Sequence, residues 1–394
     1  MSHPTGHRQR GYAAVDAIAV LPPAMTDDLD LHGRVGIRLV DASSSDRAAV
    51  ARQLGPIGGA LDRAPDIIIR FVDRLPDDGP LRYIGHQDAG FTDHRYLILR
   101  GRHQSRVKVA IPMDALGGAL EIVCERGLPA VPLLVAIVNL TALARGLLPM
   151  HACAFRHHGL GVLVVGWAKG GKSETLLAFT SRGAELVGDE WIYLDSSTRR
   201  LGGLPEPMRV WDWQLQAMPE LQPRVPASAR RRLALTRAGV AGLRGVTRLP
   251  LVGRGTPGSL ANRMRALLEN QLSVQVPPER LLGRPVVSGG VALDRIVLVL
   301  SHERDEIEVT AADPLDLARR AATSFMFEMA DVLSHYQRFR YAFPGRANPW
   351  LDGLEARYVT AIEAGFRDVP AVMAAHPYPM AIPRLYDAIE PHLR

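Results

Sequence analysis

The sequence predicts an α/β protein in two parts: an α+β module, then a second unit organised around a glycine-rich loop. Three observations predict it. The chain of 394 residues is 47% hydrophobic and 22% charged, an ordinary balance for a globular protein with a substantial core. Residues 35–112 alternate strand-like runs with one capped helix. Residues 151–195 run strand, Gly-rich loop, helix, strand, the unit that builds phosphate sites in α/β proteins. The same composition excludes a mostly disordered chain, a collagen-like chain and a coiled-coil rod.

In chain order, residues 1–30 read as a loose arm, polar and rich in Pro and Gly. No signal-peptide pattern follows Met1–Arg10, so the cytoplasm is the expected location. Residues 31–145 read as an α+β N-terminal domain of unassigned role. Within it, Val35–Asp41 and Asp66–Asp73 are predicted strands, and Ser43–Leu54 is a helix with Ser or Asp near its N-cap. Tyr96–Gly101 and Ser105–Pro112 form a predicted hairpin. Gly127–Ala144 carries no charge and reaches the lower length limit for crossing a bilayer. Pro129, Pro132 and Asn139 interrupt it, so a buried helix over Pro132–Arg145 is expected and no membrane contact.

Residues 146–345 read as the second domain. His151–Gly166 gives two strands with a turn at His157–Gly159, where both histidines are expected to be solvated. Trp167–Ser173 is the loop, Glu174–Gly183 a helix, and Ala184–Asp195 a strand with two acids in its middle. Residues 196–285, rich in Pro, Gly and Arg, read as a long, partly mobile insertion. Leu293–Ser301 and Glu306–Asp313 follow as extended segments, and Asp313-Pro314 opens a helix over Leu315–His335. Residues 346–394 read as a helical tail around Leu351–Ala364.

Lys+Arg 47 against Asp+Glu 41 gives a net charge of +6, spread without a basic block. No surface of interleaved aromatic and basic residues is visible, so nucleic acid is not the expected partner. Only Lys108, Lys169 and Lys172 are lysines in this Arg-biased chain. A lysine kept in such a background marks a site that needs a slender point charge. Cys124 and Cys153 have no metal-ligand spacing and read as packed, reduced thiols.

Gly166-Trp167-Ala168-Lys169-Gly170-Gly171-Lys172-Ser173 fits G-x-x-x-x-G-K-[ST] at every fixed position. Glycines let backbone N–H groups turn inward onto phosphate oxygens, and the next helix aims its N-terminus at the same anion. Lys172 is placed to reach the β- and γ-phosphates, and the Ser173 hydroxyl to ligate Mg²⁺. A nucleotide or another phosphate ligand, with Mg²⁺, is therefore expected to bind here. Lys169 reads either as a second phosphate contact or as a solvated loop residue.

Asp189 and Glu190 interrupt an apolar strand, and each is a candidate metal ligand or general base for a hydroxyl nucleophile. Neighbouring side chains on a strand face opposite sides, so one acid faces the site unless the strand ends there. His151 opens the strand before the loop; alone, it reads as a structural histidine.

At these residues the chain resembles the catalytic domain of the HPr kinase/phosphorylase family. The resemblance rests on Gly171-Lys172-Ser173-Glu174-Thr175, Arg182-Gly183 and Leu186-Val187-Gly188-Asp189-Glu190, with His151 fifteen residues before Gly166. It is specific across 151–195 and does not cover 1–120. It implies a P-loop fold shared distantly with phosphoenolpyruvate carboxykinase, and serine-kinase chemistry with ATP and Mg²⁺. Carried over, the loop from Gly166 to Glu174 holds the nucleotide, with Lys172 on the phosphates and Ser173 on the metal. The acidic pair supplies the base, and His151 orients the base or the phosphate. The second family Asp is Glu190 here, one methylene longer, so the identity of the base stays open between Asp189 and Glu190. A further metal ligand is expected downstream, with Glu206 the candidate. The family's phosphorylase signature is not evident. Relatives often assemble as homo-oligomers. The implied function is a kinase acting on a hydroxyl of a peptide, protein or small molecule; the alternative is an ATP-binding regulator or assembly protein without phosphotransfer.

Overall fold

A computed structural model gives the fold and describes residues 26–101, 104–247, 256–269, 271–379 and 381–394. Most of the expected arm, residues 1–25, therefore lies outside the described residues. Its last part, with the residue that follows, forms a strand.

The first half is an eight-stranded mixed sheet. Its strands are β1 (Thr26–Leu31), β2 (Val35–Val40), β3 (Ile67–Val72), β4 (Arg82–Ile84), β5 (Ala89–Phe91), β6 (Tyr96–Arg100), β7 (Arg106–Ala110) and β8 (Leu120–Glu125). They lie in the order β1-β2-β3-β8-β7-β6-β5-β4, with β2, β3 and β8 parallel. Helix α1 (Ser44–Leu54) crosses from β2 to β3. The Ser43 side chain accepts from Asp46 N, and Asp46 accepts from Ser43 N, which closes a capping box at the predicted position.

Helix α2 (Leu134–Ala144) links the halves and packs against α1, β2 and the next strand. This is the uncharged stretch flagged in the sequence. Among the described residues no helix is long and apolar enough to cross a membrane. Asn139, the polar interruption within it, accepts a 2.7 Å hydrogen bond from the buried Tyr193 hydroxyl. The stretch is apolar because both halves close over it. One buried cluster runs from Ile37 and Ile67 through Ile137 to Met150, Ile192 and Phe325.

The second half is a nine-stranded mixed sheet with helices on both faces. It begins with β9 (Leu147–His157), β10 (Leu160–Val165), α3 (Lys172–Ser181), β11 (Glu185–Gly188), β12 (Trp191–Asp195) and β13 (Arg200–Gly203). The expected insertion thus contributes β13 to the sheet. The rest of it holds β14 (Met208–Trp211), α4 (Asp212–Ala217), α5 (Ala227–Thr247), α6 (Thr256–Glu269), β15 (Ser273–Val276) and α7 (Pro278–Leu282). After β16 (Val291–Ala292) come β17 (Arg295–His302), β18 (Glu308–Ala311), α8 (Pro314–Glu328) and α9 (Ala330–Ala342). The single helix expected over Leu315–His335 is therefore two, with a break at Met329 that no Gly or Pro marks. The chain closes with α10 (Pro349–Asp352), α11 (Leu354–Phe366), β19 (Ala371–Pro377) and α12 (Ile382–Ile389). The tail is not wholly helical: β19 lies between β17 and β18, parallel to β17.

Strand β9 is the hinge of this sheet. Leu147–His151 pair with β12, and Ala152–His157 pair with β10. Its side chains alternate between two cores. Met150 and Ala152 face α8 and α11, where Phe325 stacks on Tyr358 at 3.9 Å; Cys153 and Phe155 face α3 and α12.

The Tyr193–Asn139 bond joins α2 to β12 in a core without water contact. Tyr193→Phe leaves the Asn139 carbonyl unpaired there and is expected to cost about 1–3 kcal/mol in urea unfolding. A variant within about 0.5 kcal/mol of the parent contradicts that account.

Candidate functional site

The loop between β10 and α3 is held by two close approaches. A Cβ on Gly166 would lie 2.6 Å from the Val299 carbonyl of β17, and one on Gly171 would lie 2.3 Å from His376 Nε2 of β19. Gly171 also takes φ +105, open to glycine and strained for other residues. His376 is fully buried, and its Nε2 hydrogen-bonds the Gly170 carbonyl at 2.9 Å. Nothing in the sequence had singled out His376, because it sits in the strand that the tail was not expected to contain.

Lys172 and Ser173 open α3. Lys172 is buried, and its Nζ donates to the Gly166 and Trp167 carbonyls at 3.0 Å each. Burial pushes its pKa down, against the pull of Glu190. Beneath it, Cys153 Sγ donates to the Lys172 carbonyl at 3.2 Å. Both cysteines are free and buried, and burial pushes both thiols up. Ser173 Oγ donates to Asp189 at 3.0 and 3.2 Å. Glu174 accepts from Gln214 Nε2 of α4 at 2.8 Å, which ties the start of the helix to the inserted segment. Lys169 is exposed, with φ +63.

The acids reach the site together because the strand expected over Ala184–Asp195 breaks between them. β11 ends at Gly188 and β12 starts at Trp191. Glu190 takes φ +68, and its carbonyl accepts from Ala152 N at 3.1 Å. The alternation rule therefore does not separate the two side chains. Asp189 turns inward to Ser173, and Glu190 turns to His151. Burial and the neighbouring Glu190 push the Asp189 carboxyl up to about 7, while the hydrogen bond from His151 holds Glu190 below the usual carboxylate range.

His151 is the last β9 residue to pair with β12. Its Nε2 hydrogen-bonds Glu190 Oε2 at 3.1 Å. Its Nδ1 stands 2.9 Å from Glu328 Oε1, an ion-pair contact outside hydrogen-bond alignment. Glu328 is the last residue of α8, and sequence reasoning missed it. Burial lowers the His151 pKa, but the two carboxylates outweigh it and set the value above the ordinary one. The imidazole is flanked by two carboxyl groups.

Glu206 lies in the connection from β13 to β14, and its charge bears on the buried Tyr193 hydroxyl. One sequence expectation is corrected. His157 is not solvated: it is buried edge-on against Phe179 and Tyr386, while His158 is exposed.

The site thus combines a glycine-rich loop at a helix N-terminus, a buried lysine, a hydroxyl bonded to a carboxylate, and an imidazole between two carboxyl groups. These can neutralise phosphate charge, hold a divalent cation through oxygen donors, and accept a proton. The chain matches no protein-family model and no curated protein.

The imidazole arrangement sets a pH dependence. Because the folded pKa of His151 is raised, its contribution to stability is full below the unfolded value and is lost as pH rises through the folded one. In an NMR titration His151 is expected to titrate above the ordinary histidine value of about 6.5, and Glu190→Gln is expected to lower it. A His151 that titrates below that value in the parent, or that ignores Glu190→Gln, contradicts the assignment.

Proposed function

We propose that the chain is an ATP- and Mg²⁺-dependent kinase that phosphorylates a hydroxyl group, built on a P-loop domain of the HPr kinase/phosphorylase kind. One observation carries this reading: Lys172, Ser173 and Asp189 stand beside a separate His151–Glu190 pair. Cation binding and proton acceptance are thus assigned to different carboxylates. The donor set fits the nucleotide. A glycine-rich loop packed against β17 and β19 at the start of α3, one buried lysine, and a hydroxyl paired with a carboxylate suit a triphosphate with a hard divalent cation. Bound ATP and Mg²⁺ would supply the phosphoryl group and neutralise its charge.

The remaining work falls to the side chains. Lys172 leaves its two carbonyl partners to hold phosphate oxygens. Asp189 orients Ser173 Oγ and shares the cation with it. Glu190 is the better candidate for the base: its side chain is 41% exposed, whereas Asp189 is 6% exposed and already engaged. The acceptor proton passes to a Glu190 carboxylate oxygen, and His151 positions that carboxylate through Nε2. Glu328 holds the imidazole from its other side. This ordering resolves, as a proposal, the choice of base that the motif leaves open.

The test is transfer from γ-labelled ATP with Mg²⁺ into a total extract of cells that express the chain. Parent protein is expected to label a discrete acceptor. Lys172→Ala is expected to abolish labelling, and Glu190→Ala to cut it by 10²-fold or more while ATP still binds. Asp189→Ala is expected to lose metal-dependent ATP binding as well. ATP binding with no label transferred across several extracts sinks the kinase reading and supports a nucleotide-gated regulator.

A further inference from the structure

Beside the loop lies a cavity of about 220 Å³. Trp167, Leu298, Leu300 and Ala321 give it an apolar lining, with Thr323 and Arg320 as its polar members. Its neighbourhood is unusual for a protein surface. Trp167 is 48% exposed and Phe327 55% exposed, and their rings meet at 4.9 Å. Two large aromatics left in water next to a concave apolar surface mark a binding site.

Its position says which ligand. A lysine of this motif reaches the β- and γ-phosphates. Lys172 Nζ sits on the Gly166 and Trp167 carbonyls, the same residues that border the cavity. The cavity therefore adjoins the γ-phosphate end of the loop, where an acceptor must approach. A second observation agrees. Phe327 directly precedes Glu328, whose carboxylate touches His151, which in turn bonds Glu190. The aromatic pair and the Glu328–His151–Glu190 contacts thus share the last turn of α8. The lining suits an apolar group and rejects a phosphate. Arg320 adds no free charge, because it pairs with Asp316 at 2.8 Å.

We propose that this cleft seats an apolar side chain of a peptide acceptor, next to the residue that carries the phosphorylated hydroxyl. The inference rests on the kinase reading and deepens it: the acceptor is a peptide or protein segment with Leu, Ile, Phe or Trp beside its serine. Small polar acceptors leave the cleft and the aromatic pair unused.

A positional-scanning library of serine peptides, labelled from γ-labelled ATP by the full chain, tests this. Pools with Leu, Ile, Phe or Trp beside the serine are expected to label at least tenfold more than pools with Gly or Asp there. Ala321→Trp, which fills the cavity, and Phe327→Ala, an exposed position that spares the core, are expected to remove that preference. Dissociation constants for ATP and for inorganic tripolyphosphate are expected to stay unchanged in both. Uniform labelling overturns the proposal. Weaker ATP binding with tripolyphosphate unchanged overturns it too, because the cavity then holds the nucleobase. Binding of both phosphate ligands with no peptide labelled removes the peptide acceptor while the phosphate site stands. If neither ligand binds, the kinase reading itself falls, and this inference with it.

Discussion

The close contact of one loop with two neighbouring strands governs this molecule. Gly166 lies against the Val299 carbonyl, Gly171 lies against the buried His376 ring, and that ring bonds the Gly170 carbonyl. No side chain fits at either glycine. With the loop pinned this way, Lys172 folds back onto its Gly166 and Trp167 carbonyls, and α3 starts with Ser173 bonded to Asp189. The parallel trio β10, β17 and β19 exists in the sheet at the place where this packing requires it. A loop that approaches its own scaffold this closely can present backbone N–H groups to an anion without first collapsing onto it.

A second constraint builds on the first. Two adjacent acids serve one site only if the strand carrying them is broken. Glu190 accepts a left-handed backbone, at a cost on the order of 1 kcal/mol for a non-glycine residue. The break is stabilised by the Glu190 carbonyl's bond to Ala152 and by the His151 contact. The two carboxyls then diverge in environment. One is buried and raised; the other is partly solvated and lowered by the hydrogen bond from His151. Environments this different push the pKa values of two adjacent carboxyls apart.

Local chemistry was readable in the sequence, and long-range placement was not. The loop between β10 and α3, the α1 N-cap, the β9–β10 turn and the buried α2 were all legible, because glycine spacing, a capping residue and an apolar run act over a few residues. Glu328 and His376 were not. Each touches the site from a distant part of the chain, and neither sits in a motif. Ala371–Pro377 is rich in Ala, lacks the alternation that marks a strand, and is a strand because β17 and β18 flank it. The fold class was legible at the level of mixed α/β.

The most direct test of the account is the affinity for Mg²⁺·ATP, by titration calorimetry, of the parent and of Gly171→Ala. The account predicts that the parent binds. The variant should keep its circular dichroism spectrum and bind at least tenfold more weakly, a loss of about 1.4 kcal/mol or more. A folded Gly171→Ala that binds as tightly as the parent would contradict it, since the loop's packing against His376 would then have no bearing on the anion it is proposed to hold.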